Sequence, residues 1–398
     1  MIPYGRQNID DDDIAAVTAT LRSNMLTGGP AVDRFEDALH LAVNAPYAVS
    51  CANGTAALHM AAMALNLGPG DAVVVPSVTF LASANMARYV GADVRFADVD
   101  PDTGLLTPES FVRALATDGP GQPKAVVPVH LNGQCVDMQG VYDVAQKHGL
   151  DIVEDACHAL GGYCEFEGKL EPVGAASHSS MVCFSFHAVK TVAMGEGGAI
   201  TTRNADFDVR LRILRNHGMS RDKTGFVQCD EAYDDNQEIN PWYYEMESPG
   251  FNYRASDIHC ALGVSQIAKL SKFIERRREL AVLYDQLLKS FVPLLRPVQR
   301  SFPERDGWHL YPVLIDFAQA GLSRAQVMTQ LRDRGVGTQV HYLPVHRQPY
   351  YRELYPGVEL PGANAYYEKC LSLPLFVGLL DEQVEEIVET LGDILGLQ

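Results

Sequence analysis

The chain has 398 residues, 47% of them apolar, and a formal net charge of −18. That length and apolar content suffice for more than one small domain with a sizeable core. The acidic balance argues against a nucleic-acid-binding protein, which normally presents a basic face. No uninterrupted apolar run approaches the roughly 20 residues that a membrane helix needs, and the first residues lack the basic and apolar parts of a secretion signal. We therefore expect a cytoplasmic enzyme that binds neither nucleic acid nor membrane.

The eight cysteines include no CxxC pair, so the spacing indicates neither a zinc motif nor a redox motif. Several cysteines lie in apolar segments, where a free thiol behaves as a small hydrophobic group. We expect reduced cysteines and no metal site.

The N-terminal part of the sequence predicts an extended arm, two helices and a loop between them. The arm covers residues 1–7, the loop covers residues 24–30, and the second helix covers residues 31–42. The first helix begins near Asn8 to Asp13, and its buried stripe is expected at Ile14, Val17 and Leu21.

From residue 47 onward, predicted strands and helices alternate. The strands fall at residues 48–51, 72–75, 94–97, 125–129, 151–155, 181–186 and 198–202, and the helices at 55–65, 77–89, 108–117 and 137–148. Such alternation with continuous Val and Ile runs predicts a mainly parallel seven-stranded sheet covered on both faces. Ligands of these sheets bind outside the carboxyl ends of the strands, which is where Asp155 falls.

The pattern changes after residue 220. Residues 220–248 are acidic, polar and aromatic, which predicts a long surface loop or lid. Helical periodicity over residues 255–290 then leads into strands near 309–315 and 337–342 and helices near 323–334 and 381–395. We predict a large domain with an N-terminal arm over residues 1–254 and a smaller C-terminal α/β domain over residues 255–398.

One lysine, Lys190, lies in an almost uncharged segment, SFHAVKTVAMGEGG, which follows the apolar run 181–184. A desolvated lysine has a lowered pKa, and an unprotonated amine is the group that reacts with a carbonyl. An arbitrary lysine is more often a surface residue, but the apolar and glycine-rich surroundings favour a functional role here.

An acidic residue, Asp155, ends an earlier apolar strand, 35 residues before Lys190. A strand-end acid alone often caps a helix, but the order of acid and lysine matches what pyridoxal 5′-phosphate (PLP) requires. The lysine holds the aldehyde, and the carboxylate keeps the ring nitrogen protonated.

Other residues supply the remaining parts of such a site. Gly54 and Thr55 lie between a strand and a helix, where backbone N–H groups and a hydroxyl bind phosphate, and Ser185 adds a second hydroxyl. Phe80 is a candidate for stacking on the ring, or else an ordinary core residue. His158 is a candidate partner of the ring hydroxyl, or else a buried structural histidine.

These segments resemble the DegT/StrS family of PLP-dependent sugar aminotransferases, which have the aspartate aminotransferase (type I) fold. The resemblance runs nearly end to end, through LTGGPAV, ANGTAAL, PSVTFLASANM, FADVDPDTG, VPVHLNG, VEDACHALG, SFHAVKTVAMGEGG, LRNHGM, GFNYRASDI and HYLPVHRQPYY. It is especially close to the branch that aminates C4 of a UDP-linked 4-keto-6-deoxy-N-acetylhexosamine for pseudaminic acid biosynthesis.

The resemblance implies a role for each matching residue. Lys190 and Asp155 would be catalytic, and Asn252 would reach the cofactor phosphate from the neighbouring subunit of a homodimer with shared active sites. The positions that match the sugar-nucleotide pocket are Tyr4, Asn24, Met25, Leu26, Thr27, Gln339, Val340, His341 and Tyr342. L-glutamate would donate the amino group, with pyridoxamine 5′-phosphate (PMP) as the amino form of the cofactor.

Three alternatives follow from the same sequence. A sugar 3-dehydratase of this fold carries histidine at the lysine position, so Lys190 argues against it. An aminotransferase for another GDP- or dTDP-linked keto sugar stays open, because the motifs fix neither the base nor the sugar stereochemistry. A catalytically silent PLP-fold sensor or scaffold, from a different functional class, is disfavoured by the intact pair of Asp155 and Lys190.

Overall fold

The computed structural model of the protein describes residues 1–222, 225–227, 229–300 and 302–397. The strands are β1 Tyr47–Cys51, β2 Asp71–Pro76, β3 Asp93–Ala97, β4 Gln122–Val126, β5 Asp151–Asp155, β6 Tyr163–Phe166, β7 Lys169–Pro172, β8 Met181–Ser185, β9 Gly198–Thr202, β10 Met219–Ser220, β11 Glu245–Met246, β12 Leu295–Pro297, β13 Tyr311–Ile315 and β14 Cys370–Leu373. The α-helices are α1 Asp11–Leu21, α2 Pro30–Val43, α3 Gly54–Ala64, α4 Leu81–Tyr89, α5 Pro108–Ala116, α6 Met138–His148, α7 Ala205–Leu214, α8 Cys229–Ala232, α9 Asp257–Ile267, α10 Leu270–Leu287, α11 Arg324–Asp333, α12 Pro349–Leu354, α13 Pro361–Lys369 and α14 Asp381–Leu395.

The large sheet has seven strands in the order β1-β9-β8-β5-β4-β2-β3. The pairs from β8 to β3 are parallel, whereas β9 runs antiparallel to both of its neighbours. The predicted mainly parallel seven-stranded sheet is therefore confirmed. Since β8 and β9 are adjacent and antiparallel, the chain between them turns back at the carboxyl end of β8.

Alternate residues of each strand enter opposite hydrophobic cores, as the two-residue period of a strand requires. In β2, Val73 and Val75 pack on the face covered by α3, α4 and α7, while Val74 packs on the face covered by α2, α5, α6 and α9. Both faces are thus buried, which explains why these strands read as continuous apolar runs.

The C-terminal part forms a smaller α/β unit. Its sheet has the order β12-β13-β14 and is antiparallel, and α10, α11 and α14 pack around it in a third hydrophobic cluster. The N-terminal arm joins this unit, because the N–H of Ile2 donates to the carbonyl of Gly335 over 2.7 Å. That contact brings Tyr4 beside His341, with 5.6 Å between the ring centroids. The predicted domain boundary at residue 254 stays a prediction. Just beyond it, α9 packs in the hydrophobic core on one face of the large sheet.

Three predicted elements differ from the structure. The helix expected from residue 77 begins at Leu81, because the hydroxyl of Ser77 bonds to His346 instead of capping a helix. The strand expected at 337–342 is an irregular segment with a single bridge between Gln339 and Ser372. The stripe expected to be buried on α1 is exposed at Ile14 and Leu21 within one chain.

The segment 220–248 contains the short helix α8, and β10 and β11 pair at its base. Trp242, one of the described residues of this segment, is 71% exposed, which agrees with the predicted surface loop; residues 223, 224 and 228 of the prediction lie outside the described residues. In the part of the chain that the structure describes, no helix has the length and apolar character needed to span a bilayer.

The cysteines differ from the expectation in one respect. Cys135, just before α6, is joined to Cys164 in β6 by a disulfide, whereas Cys51, Cys157, Cys183, Cys260 and Cys370 are free. The bond ties the hairpin of β6 and β7 to the body of the large domain. The expectation that all cysteines are reduced is therefore wrong for this pair.

Loss of this disulfide should reduce stability. The two cysteines are 29 residues apart, so the crosslink restricts a sizeable loop of the unfolded chain. We expect Cys164→Ser to lower the free energy of unfolding by about 2–4 kcal/mol, measured by urea denaturation. A dithiol reductant should lower the stability of the wild-type protein and leave the stability of Cys164→Ser unchanged; an equal effect of reductant on both proteins would contradict the assignment.

Candidate active site

A cavity of about 700 Å³ lies at the carboxyl ends of the large-sheet strands, where it meets the small unit. Its lining includes many of the residues expected from the sequence: Tyr4, Gly54, Thr55, Phe80, Asp155, His158, Ser185, Lys190, Gln339, Val340, His341 and Tyr342. This volume is typical of a site for a small ligand or a cofactor.

Lys190 projects from the turn between β8 and β9. Phe186 bonds to Met194 and to Gly197 through its backbone at 2.8 Å each, which closes the base of the turn. Val192 and Met194 are buried in the core below, whereas Lys190 lines the cavity together with His187 and Glu196 of the same segment. Burial lowers the pKa of Lys190 below that of an ordinary lysine, although Cys157 and Asp155 oppose the shift. The amine is thereby better suited to nucleophilic chemistry.

Asp155 is held at the end of β5 with both carboxylate oxygens positioned. The hydroxyl of Ser83 donates to Oδ2 over 2.6 Å, and the backbone N–H of Cys157 donates to Oδ1 over 3.1 Å. The side chain is buried in the wall of the cavity. A carboxylate has further lone pairs beyond these two bonds, so Asp155 remains able to pair with a cationic N–H of a ligand.

Ser83 is a site residue that the sequence analysis missed. It lies in the first turn of α4, three residues after Phe80, and its own oxygen also contacts Thr79 at 2.7 Å. In the sequence, the only indication of this role is that Ser83 follows Phe80 by three residues at the start of a helix. Serine is too common in the first turns of helices for that spacing to identify a site residue.

We expect Ser83→Ala to slow turnover about tenfold, because the hydrogen bond from its hydroxyl that orients the charged carboxylate of Asp155 is lost. The measurement is kcat with saturating cofactor and substrates. Ser110→Ala is a suitable control, since Ser110 is equally buried but caps α5 away from the cavity. Equal losses in the two variants would show that Ser83 has only a structural role.

The start of α3 forms a cradle for an anion. The side chain of Asn53 accepts the N–H of Ala56 over 2.8 Å, while the N–H groups of Gly54 and Thr55 have no acceptor among the residues that the structure describes. A Cβ at Gly54 would lie 2.9 Å from Cβ of Ser185, so only glycine permits this close approach. Unpaired N–H groups at a helix N-terminus favour phosphate.

Phe80 and His158 lie on the cavity wall. Phe80 is 55% exposed and its ring lies 6.0 Å from that of Tyr342, so its interpretation as a core residue is wrong. Burial lowers the pKa of His158 well below the ordinary value, with Lys190 adding to the effect. His309, which the sequence did not indicate, lies beside His158 with the two rings tilted and their centroids 4.6 Å apart.

Five expected residues lie outside the cavity of a single chain. Asn24, Met25, Leu26 and Thr27 are exposed, and this loop bonds to the start of α9 through the N–H of Asp257. Asn252 is also exposed and pairs with Asn216. Their roles stay predictions, because each requires a second subunit or a bound sugar nucleotide.

The residues present fit PLP. The lysine amine suits the aldehyde, the carboxylate of Asp155 suits a protonated ring nitrogen, and the cradle at Gly54 suits the phosphate. No other residue type is needed to hold these three parts of the cofactor.

Comparison with known proteins agrees with this site. The model of the DegT/DnrJ/EryC1/StrS aminotransferase family matches residues 7–392. The spore coat polysaccharide biosynthesis protein SpsC of Bacillus subtilis (strain 168) is 36% identical over 396 residues, which cover 99% of this chain and 97% of SpsC.

Solved structures are also similar over nearly the whole chain. Helicobacter pylori PseC, an aminotransferase involved in the biosynthesis of pseudoaminic acid, has a TM-score of 0.86 at 27% identity and covers 99% of each chain. Spr1654 from Streptococcus pneumoniae in its PMP form has a TM-score of 0.87 at 28% identity, covering 100% of this chain and 99% of that one. Its PLP form has a TM-score of 0.84 at 28% identity, covering 99% and 98%. The chain therefore belongs to the DegT/DnrJ/EryC1/StrS aminotransferase family and is a PLP-dependent aminotransferase with the type I fold.

Proposed function

We propose that the protein transfers the amino group of L-glutamate to the C4 ketone of a UDP-linked 4-keto-6-deoxy-N-acetylhexosamine, in a pathway of the pseudaminic acid type. The observation that carries the proposal is the meeting of Lys190, Asp155 and the phosphate cradle in one cavity. Similarity to PseC over 99% of both chains supports the sugar substrate. The name of SpsC, a polysaccharide biosynthesis protein, supports the same broad class.

Asp155 and Lys190 have different roles in the proposed reaction. When bound, PLP supplies an aldehyde that carries the amino group and a ring that delocalises the electrons of the reacting carbon. Asp155 holds a proton at the ring nitrogen by its negative charge. The Nζ atom of Lys190 removes a proton from the α-carbon of glutamate and later delivers one to C4 of the sugar, as a general base and then a general acid.

The polar wall formed by the small unit is suited to a sugar. Tyr4, Gln339 and His341 line this side, and burial lowers the pKa of His341 to about 3. A neutral imidazole and neutral amide and phenol groups bind hydroxyl and carbonyl oxygens without demanding a charged partner. We assign this side to the hexose.

A panel of substrates tests the proposal. The purified enzyme, loaded with PLP, is given L-glutamate and one of several UDP-, GDP- or dTDP-linked 4-keto-6-deoxy sugars. We expect 2-oxoglutarate release and a product carrying an amino group only with the UDP-linked N-acetylhexosamine, detected by mass spectrometry. Activity confined to a GDP- or dTDP-linked sugar would support the alternative carrier, and inactivity with the whole panel would contradict the function.

We also propose a homodimer with shared active sites. On α1 and the loop after it, Ile14, Leu21, Met25 and Leu26 are each more than 40% exposed. Neighbouring exposed apolar side chains of this kind are typical of an interface. Asn252 lies outside the cavity of its own chain, which supports its prediction as a residue that serves the neighbouring cavity.

Mixing two inactive variants tests this arrangement. Lys190→Ala and Asn252→Ala homodimers are mixed, exchanged through mild denaturation and assayed. If Asn252 serves the partner cavity, each mixed dimer contains one intact site, so activity should return. If Asn252 acts within its own chain, no mixed dimer has an intact site and activity should stay at the level of the unmixed variants.

A further inference from the structure

The hydrogen bonds of His158 fix the position of its ring proton. The backbone N–H of Asn132 donates to Nδ1 over 3.3 Å. Because a backbone N–H is only a donor, Nδ1 must accept, and the hydrogen of the neutral ring lies on Nε2. Burial lowers the pKa of His158 well below its ordinary value, so the ring remains neutral at physiological pH.

The next group in this chain of bonds is Tyr342, whose hydroxyl lies 3.0 Å from Nε2 of His158. Since Nε2 carries the hydrogen, the phenol oxygen accepts it. Burial raises the pKa of Tyr342 well above 10, so the phenol keeps its own hydrogen. Within the described part of the chain this hydrogen has no acceptor, and Tyr342 lines the same cavity as Lys190.

The segment that carries Tyr342 and the turn that contains Asn132 are each anchored by hydrogen bonds. Nδ1 of His341 lies 2.8 Å from the hydroxyl of Ser372, and Gln339 exchanges two backbone bonds with Ser372 at 3.2 and 2.8 Å. The turn containing Asn132 accepts the N–H of His309 over 3.1 Å. The donor geometry is therefore formed before a ligand binds, which reduces the cost of ordering it.

We propose that Tyr342, positioned by His158, donates its hydroxyl hydrogen to an electron-rich oxygen of the bound ligand. This rests on the proposed function, under which two oxygens have the required chemistry: the ring oxygen of PLP and a carbonyl or hydroxyl oxygen of the keto sugar. His158 is then a positioning residue that acts through Tyr342, because its single N–H is already used. Tyr342 is the group that touches the ligand.

Two measurements separate the oxygens. The first is the dissociation constant of PLP from the apoenzyme, followed by absorbance without any substrate, and the second is KM for the keto sugar with kcat measured alongside. We expect Tyr342→Phe to raise one of these constants about 10-fold with a smaller change in kcat. A rise in the first identifies the cofactor oxygen, and a rise only in the second identifies a sugar oxygen.

Variants of His158 test the positioning role. The amide of Gln offers an oxygen and an N–H at nearly the spacing of Nδ1 and Nε2, so His158→Gln should stay within about twofold of wild type, while His158→Leu should shift the same constant as Tyr342→Phe. In the double variant, His158→Leu should add nothing to Tyr342→Phe. A purely structural role would not produce this rescue and this non-additivity.

Tyr284→Phe is the matched control, because it removes one buried phenol bond, to the carbonyl of Pro374, in the small unit. It should change neither constant. If Tyr342→Phe leaves both constants unchanged, or if His158→Leu has its full effect without the Tyr342 hydroxyl, the proposal is overturned. The dissociation constant of PLP is measured without a sugar, so it does not depend on the proposed sugar substrate. If that substrate is wrong, the keto sugar is not turned over, whereas a wrong role for Tyr342 leaves both constants unchanged in Tyr342→Phe.

Discussion

Lys190→Ala should reduce transamination by at least about 10⁴-fold, because the variant loses both the amine that binds the cofactor and the group that moves the proton. Lys190 is the one lysine in the described lining of the cavity, so no second amine there can replace it. The measurement is 2-oxoglutarate release under saturating conditions, together with the absorbance of the purified protein. We expect the variant to lose the yellow colour of the loaded enzyme.

The loss should be chemical and not structural. Burial lowers the pKa of Lys190, so folding must desolvate this amine, and the free energy of unfolding of the apo form should not fall when it is removed. Lys169→Ala provides a control, because Lys169 is exposed in the hairpin of β6 and β7. A Lys190→Ala enzyme that keeps full activity would overturn the assignment of the site.

The strands of the large sheet can be predicted from the sequence because the sheet is buried on both faces, so each strand is an apolar run. β5 and β8 appear as apolar runs that end in Asp155 and Ser185, and their boundaries agree closely with the prediction. The strands β6, β7 and β14 are not among the predicted elements. β6 and β7 are half exposed, and β14 is a four-residue strand whose partner β13 lies far away in the chain.

The segment 337–342 shows how tertiary contacts override a local pattern. Its residues alternate as in a strand, but its backbone bonds are limited to one from Gly337 to Ile2 and a single bridge between Gln339 and Ser372 among the described residues. Val340, His341 and Tyr342 line the cavity, and His341 and Tyr342 bond there to side chains. Side-chain contacts at the cavity therefore take the place of the regular backbone hydrogen bonds of the strand that the pattern predicts.

The meeting of Asp155 and Lys190 in one cavity could be predicted from the sequence, since an acid after one strand and a lysine after a later one share an edge of a parallel sheet. Ser83 and His309 could not, because they reach the cavity from α4 and from the small unit through contacts that no spacing records. A contribution from a second subunit would likewise be invisible in one chain, so the role of Asn252 stays a prediction.

Asp155→Asn should lower kcat roughly 10²–10³-fold while keeping the cofactor bound. Asn has nearly the shape of Asp and still has an oxygen to accept one of the bonds from Ser83 and Cys157. It has no charge, so it no longer keeps the ring nitrogen protonated, and the electrons of the reacting carbon are less well delocalised. Because Lys190 is intact, the colour of the loaded enzyme should persist, unlike in Lys190→Ala.

Glu154→Gln is the matched control for this variant. Glu154 precedes Asp155 in β5, is equally buried, and bonds to His130 over 2.8 Å on the opposite face of the sheet. Its loss should reduce stability and leave kcat of the folded enzyme close to wild type, since the residue does not line the cavity. If Asp155→Asn and Glu154→Gln lowered kcat equally, the charge at residue 155 would have no special part in the chemistry, and the placement of the cofactor ring beside it would be wrong.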